Sequence, residues 1–219
     1  MLYMQKYACF YIAVMLCSAA FAQKSRQATL YYRQDAVLPG LYEGQYTGRS
    51  AASGMGYRIT GTDAAFVIEP RFGVVHFRYH HKIEDGLRLE QQHAGLELGL
   101  PLSVKLWRGI RILAALNMGW LPYQEVRVRQ RVGNSFSYFS DDALHAGYQT
   151  NKIYANAGLG LGFQFAKAPK CMLSVMVRQQ ANGPVKSLYE WENSWIPKVR
   201  IEPNWKPLLP GIELSYAIK

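Results

Sequence analysis

Along most of the chain, apolar and polar residues alternate one for one. From Ile110 onward the even positions read Ile110, Ile112, Ala114, Leu116, Met118 and Trp120, against Arg111, Leu113, Ala115, Asn117, Gly119 and Leu121. The same parity continues as Val126, Val128 and Val132 against Glu125, Arg127, Arg129 and Arg131. A period of two is the signature of a strand, which puts alternate side chains on opposite faces, whereas a helix would scatter the three arginines around its surface. Ala94, Leu96, Leu98, Leu100, Leu102, Val104 and Leu106 alternate with His93, Gly95, Glu97, Gly99, Ser103 and Lys105. Pro101 falls within that stretch and is expected to mark a bulge or break. Further on, Ile153 to Phe165, Cys171 to Val177 and Ile212 to Ile218 repeat the pattern, with Gly158, Gly160, Gly162, Arg178 and Glu213 on the polar face. Six strands follow, at about 64–79, 87–107, 110–131, 153–166, 170–180 and 209–219.

A soluble sandwich also alternates, but its polar face meets water and is rich in Lys, Glu and Thr. Here that face is glycine with isolated charges such as Glu97, Arg111 and Glu213. Small residues relieve crowding inside a narrow barrel, and opposite charges can pair there. The pattern predicts an all-β fold, an antiparallel up-and-down transmembrane barrel of about eight strands, apolar outside and polar within. Closure needs an even count, so a further pair must come from 23–61. Leu41 to Gly48 and Met55 to Thr60, joined by a turn at Arg49–Gly54, are the candidates. Residues 23–40 are then a candidate periplasmic or poorly ordered lead.

The connections carry a second signal. Short turns are expected at Gly61-Thr62-Asp63, Trp107-Arg108-Gly109 and Lys167-Ala168-Pro169. Longer links fall at His80–Gly86, Gly133–Lys152 and Ala181–Pro207. Strict alternation of short and long links matches barrels with tight periplasmic turns and long external loops.

The N-terminus assigns the compartment. Lys6 precedes an apolar run from Tyr7 to Leu16, and Ala20-Phe21-Ala22 forms an A-x-A cleavage site. The run is shorter than the ~20 residues of a spanning helix. Residues 1–22 are therefore expected to be a signal peptide, cut before Gln23, leaving 23–219 as the barrel domain. Cys17 would suit a lipoprotein, but Leu16 is too bulky for the residue before a lipidated cysteine. With Cys9 and Cys17 removed, Cys171 stands alone and no intramolecular disulfide forms.

Composition sharpens this picture. Of 219 residues, 15 are Tyr, 9 Phe and 5 Trp, and the hydrophobic share is 49%, yet no segment after residue 22 has the length of an apolar spanning helix. A closed sheet is the remaining way across a bilayer, because lipid offers no partner to open backbone groups. The formal net charge of +10 favours anionic surfaces such as phosphate-bearing lipid. Nucleic acid is not expected as a partner of an exported chain whose basic residues are spread along strands.

Leu96-Glu97-Leu98-Gly99-Leu100-Pro101-Leu102-Ser103-Val104-Lys105-Leu106 resembles a strand of the PorT-like outer-membrane β-barrel proteins, and Ala157-Gly158-Leu159-Gly160-Leu161-Gly162 is similar to that family's glycine-rich strand. The resemblance covers roughly Ala64 to Lys219, with Gly99 a departure from the tighter family pattern. It implies an eight-stranded outer-membrane barrel and no shared catalytic residues.

Candidate chemistry is sparse. His76, His80, His81, His93 and His145 include an adjacent pair near Glu84 and Asp85, but neighbours on a strand point apart, so no metal site is expected. Ser135, Ser137, Ser140, Asp141, Asp142 and His145 are the residue types of a rim-active lipid-modifying enzyme, without a G-x-S-x-G motif. Arg127, Arg129 and Arg131 share one strand face and form a candidate binding patch for lipopolysaccharide or another anion. Trp120, Tyr123, Phe136, Tyr138 and Phe139 suggest an aromatic girdle. Glu97 and Arg111 are expected to face the lumen as a coupled pair, provided a bulge or the barrel's shear offsets their unequal depths. No cofactor is expected. The implied partners are outer-membrane lipid or lipopolysaccharide and the barrel-assembly machinery, for a monomeric barrel with a binding or scaffold role. The alternatives are the rim enzyme and a soluble exported barrel holding an apolar ligand.

Overall fold

The computed structural model describes residues 25–37, 46–60, 65–84, 87–132, 135–139, 152–165, 170–181 and 208–218. Within these, the side chains of 25, 46, 81–84, 87–89, 126–132 and 135–139 lie outside the description. Ten strands form one antiparallel sheet: β1 (Ser25–Val37), β2 (Tyr46–Thr60), β3 (Phe66–Ile68), β4 (Arg71–Glu84), β5 (Leu87–Trp107), β6 (Ile110–Val132), β7 (Ser135–Phe139), β8 (Ile153–Gln164), β9 (Cys171–Gln180) and β10 (Leu208–Ala217). Eight of them close a ring in the order β1-β2-β4-β5-β6-β8-β9-β10. The seam is β1 against β10, running from Thr29 opposite Ala217 to Asp35 opposite Gly211. β3 continues the line of β4 across a break at Glu69–Pro70, and β7 pairs with the far end of β6. Closure leaves no open edge around the ring, as hydrocarbon requires.

The first two strands correct the sequence reading. The strands read at 41–48 and 55–60 are not two: residues 46–60 run as the single strand β2, and 41–45 lie outside the described residues. Instead Ser25–Val37, inside the segment 23–40 read as a candidate periplasmic lead, is a full barrel strand paired on both sides. The stretch Arg49–Gly54, read as a turn, is the middle of β2, with Ala52 opposite Arg33 on one side and Val75 on the other. Its small residues serve close packing: a Cβ at Gly54 would collide with the backbone of Phe72 and Gly73. Three further details differ. The link placed at His80–Gly86 is mostly strand, because β4 runs to Glu84 and β5 starts at Leu87. Pro101 does not interrupt pairing with β6, where it stands opposite Ala115. Its carbonyl takes the Glu69 N–H at 3.0 Å, so its missing N–H faces the Glu69–Pro70 break on the other side.

The third difference is a bulge. Ala94 pairs with Tyr123 and Leu96 with Trp120, so three steps on β6 match two on β5. Trp120 and Tyr123 are both exposed although they differ in parity, and Leu121 between them is buried. The single parity read from Ile110 to Val132 therefore fails, and backbone positions beyond the bulge change face.

Of the short connections, Arg108-Gly109 is described. It is a two-residue hairpin with φ of 28° and 92°, the double positive φ of a type I′ turn. The turns read at 61–63 and 167–169 lie outside the described residues, as do 1–24. Ser25, Thr60, the Arg108-Gly109 turn and Ala217 share the lower rim. Val37, Glu84, Val132 and Gln180 end at the upper one, which the links 133–152 and 181–207 join.

Candidate functional site

Polarity is inverted relative to a water-soluble protein. Leu30, Phe72, Val74, Leu98, Ile112, Leu159, Val175 and Ile212 are outside and exposed, while Arg33, Asp35, Glu69, Arg71, Glu97, Arg178 and Glu213 are buried within. On β6 the outward apolar row runs ten residue steps from Ile110 to Trp120. At about 3.4 Å per step and a tilt near 40°, that row is roughly 26 Å tall, which matches the hydrocarbon-facing band of a membrane barrel. Trp107 at one end and Trp120 with Tyr123 at the other are exposed, as interface aromatics are. The side chains of Phe136, Tyr138 and Phe139 lie outside the described residues.

The lumen is closed by a chain of alternating charges. Glu69 takes Arg58 Nε at 2.9 Å, Arg71 Nε at 2.9 Å and the Thr29 hydroxyl at 3.0 Å. Arg71 reaches Glu213 at 2.6 Å, and Glu213 takes Arg178 at 2.8 Å. Arg178 donates to Asp35 at 2.5 Å, and Asp35 also takes the Ser50 hydroxyl at 3.0 Å and ion-pairs with Arg33, whose Nε lies 2.9 Å away. Arg33 then forks onto both oxygens of Glu97 at 2.8 and 2.7 Å, and the Tyr154 hydroxyl donates to the same carboxylate. Four arginines and four carboxylates alternate, so this set is neutral. Neutrality matters because an unpaired buried charge costs several kcal/mol, roughly.

These bonds bridge the ring. Arg33 on β1 and Glu97 on β5 are separated by β2 and β4. Tyr79 on β4 donates to Gln180 on β9, diametrically opposite, at 3.1 Å. Above the ion chain, Val37, Val75, Phe77, Leu121, Tyr154 and Leu209 form an apolar plug, with Phe77 edge-on to Tyr154 at 4.9 Å. Below it, a hollow of about 130 Å³ lies between Arg58, Arg71, Arg111, Ser103 and Met172. Glycines make the space for the large inward groups: a Cβ at Gly119 would overlap the Tyr154 ring, and one at Gly73 the Tyr31 hydroxyl.

Glu97, Arg111 and Glu213 are all buried, but they are not one site. Glu97 and Glu213 belong to the ion chain. Arg111 instead bonds the Ser103 hydroxyl and the Ala65 carbonyl, both at 2.9 Å. The expected Glu97–Arg111 pair does not form, because Glu97 stands opposite Gly119, eight residues along β6 from Arg111. That is roughly 27 Å of strand. Arg33, Asp35 and Arg58 supply what sequence reasoning left out, and Arg178, read on the polar face, joins them.

The side chains of Arg127, Arg129 and Arg131 lie outside the described residues. Their backbones stand opposite Glu90, Arg88 and Phe136. The same holds for the side chains of His81, Ser135 and Ser137, and residues 140–145, with Ser140, Asp141, Asp142 and His145, are not described at all. His76 is outward and exposed, His80 lies 3.5 Å from Glu90, and His93 is inward beside Tyr79. No cluster of three or more metal-ligating residues occurs among the described residues.

A closed eight-strand ring, an apolar outer band and a charge-paired interior together define a small antiparallel transmembrane β-barrel with a filled lumen. No family model and no curated protein matches the chain. Among solved structures it is similar to Neisserial surface protein A, at 15% identity and a TM-score of 0.47, covering 88% of this chain and 97% of that one. It is also similar to Ail, the attachment invasion locus protein of Yersinia pestis, at 10% identity and a TM-score of 0.42, with the same coverage. The translocator domain of the autotransporter NalP from Neisseria meningitidis aligns over 97% of this chain and 96% of its own, at 10% identity and a TM-score of 0.27. The class rests on this chain's own closure and polarity.

Proposed function

We propose that this chain is an outer-membrane barrel of a Gram-negative envelope whose role is to hold a binding surface at its upper rim. It neither conducts nor catalyses. Residues 1–22 act as its cleaved signal peptide, the barrel-assembly machinery inserts it as a monomer, and PorT-like proteins are the family its β5 and β8 sequences favour. The observation that carries this reading is the inverted polarity around a plugged lumen. A soluble barrel built to hold an apolar ligand would need an apolar interior, and here the interior is an ion chain. A diffusion channel would need a path past Arg33–Glu97 and Tyr79–Gln180.

Protease accessibility tests place and orientation together. Trypsin added to intact cells should cut within 181–207, at Lys186, Lys198 or Arg200, because exposed link tips are preferred cleavage sites. Arg108, at the opposite rim, should be cut only after the outer membrane is opened. Cleavage at Arg108 in intact cells would mean that the barrel is inverted, and recovery in the soluble fraction would end the membrane reading.

A further inference from the structure

The outward faces of β2, β4, β5 and β6 can be followed row by row. The lowest of four rows is Met55, Phe72, Leu98 and Met118; above it come Ser53, Val74, Leu96 and Trp120. The third is Ala51, His76, Ala94 and Tyr123, and the fourth Arg49, Arg78, Gln92 and Glu125. The face thus passes from apolar, through interface aromatics, to cations within four rows. The upper edge of the hydrocarbon band lies at the third row.

Two features of this patch need an occupant. Arg49 and Arg78 stand directly opposite each other, and like charges in that position repel. Arg49 has no hydrogen bond or ion pair among the described residues. Arg78 reaches one oxygen of Glu90 at a long 3.4 Å, and its Nε is buried without a partner. Glu90 is shared with His80, and Glu125 takes the Tyr123 hydroxyl at 2.8 Å, so neither carboxylate bridges the two arginines. Directly below, the small residues Ala51, Ser53 and Ala94 leave an outward trough of about 570 Å³, walled by Val74, Leu96 and Trp120. A lipid-facing surface gains nothing from a dent unless something fills it.

The geometry points to a site for one phosphate-bearing lipid of the membrane leaflet at the upper rim, its phosphate between Arg49 and Arg78 and an acyl chain in the trough. Guanidinium forks match phosphate oxygens bidentately, and an anion between the two cations turns their repulsion into a clamp. His76, exposed between trough and clamp, lies at ester depth. The inference rests on the membrane reading above.

Trp120 in the trough provides the readout. The full chain would be refolded into phosphatidylcholine vesicles in which either the phosphatidylcholine or a minor phosphatidic acid component, but not both, is brominated, and tryptophan quenching measured. Phosphatidic acid should displace phosphatidylcholine preferentially, and Trp120→Phe should remove the differential signal. Each of Arg49→Gln and Arg78→Gln should reduce that preference roughly fivefold, the equivalent of about 1 kcal/mol per basic residue at an anionic lipid surface. Arg26→Gln with Arg108→Gln, at the other rim, should leave it unchanged. Quenching in pure phosphatidylcholine reports insertion of every variant independently of headgroup. A preference that survives loss of Arg49 and Arg78, persists in Trp120→Phe, or falls equally in the lower-rim control would overturn the site. An absence of quenching by either lipid would overturn the membrane reading itself.

Discussion

Replacing Arg33 by Met removes the one side chain that bridges Asp35 and Glu97. Glu97 then loses two charge-assisted bonds, at 2.8 and 2.7 Å, and keeps only the Tyr154 hydroxyl in a site that is 1% exposed. Asp35 fares better, because Arg178 at 2.5 Å and Ser50 at 3.0 Å remain. The cost is thus concentrated on Glu97 and should be about 3–5 kcal/mol, the usual penalty for stranding a buried charge. Glu97→Gln is milder. Arg33 keeps Asp35 at 2.9 Å, and the amide oxygen can still accept from the guanidinium. The loss should be about 1.5–3 kcal/mol. In the double variant no charge is stranded at position 97, so the two losses should fall short of additive by about 1.5–3 kcal/mol. The comparison cycle is Glu97→Gln with Arg111→Met, whose sites share no partner and lie eight residues apart along β6. Those losses should add within about 0.5 kcal/mol. Urea unfolding in lipid vesicles, followed by tryptophan fluorescence, measures all four corners of each cycle. Additivity for Arg33 and Glu97, or a larger coupling for Glu97 and Arg111, would refute the ion chain as drawn.

Two other consequences follow from the same geometry. Leu98→Arg, on the outward face at mid-height, should reduce the folded, heat-modifiable fraction in membranes far more than Leu106→Arg near the lower rim, the costs being about 2–4 and about 0–1 kcal/mol; equal tolerance would mean that the exposed apolar band does not face lipid. Gly119→Ala should lower stability by about 1–3 kcal/mol through overlap with Tyr154, and adding Tyr154→Ser should recover part of that loss in the urea midpoint, whereas a neutral Gly119→Ala would show that the ring does not pack there.

What the sequence made legible was the side of the sheet. In β8, β9 and β10 the outward residues are Ile153, Leu159, Val175, Ile212 and Leu214, and the inward ones are glycine, Ser174, Arg178 and Glu213, so hydropathy alone separates the faces. β1 defeats the same test. Its inward face carries Tyr31 and Val37 beside Arg33 and Asp35, and its outward face carries Gln34 and Ala36 beside Leu30 and Tyr32, which leaves almost no contrast. β2 is hidden for another reason. Ser50-Ala51-Ala52-Ser53-Gly54 has the composition of a turn, but Ala52 packs into the lumen and a Cβ at Gly54 would collide with the β4 backbone. The available signal was Arg33 and Asp35 two apart, which puts both charges on one face.

Partners across the lumen depend on depth, which alternation does not encode. Depth follows from register, and register from a few irregularities: the bulge opposite Gly95, the break at Glu69–Pro70 and the two-residue turn at Arg108-Gly109. Gaining or losing one residue at any of them would exchange the faces beyond it, as the extra residue of the bulge does for β6. Yet once register is known, the charge balance becomes interpretable. The eight-membered ion chain is neutral, so the formal excess of +10 owes nothing to it. Among the described residues, Arg26 and Arg108 at the lower rim and Arg49 and Arg78 near the upper one contribute to that excess. Evolution of a plugged lumen and of a basic exterior are then separate problems. The first selects alternating arginine and carboxylate at matched depths, where any single change strands a partner. The second is free to vary residue by residue, and is where a membrane surface of phosphate-bearing lipid would exert its pull.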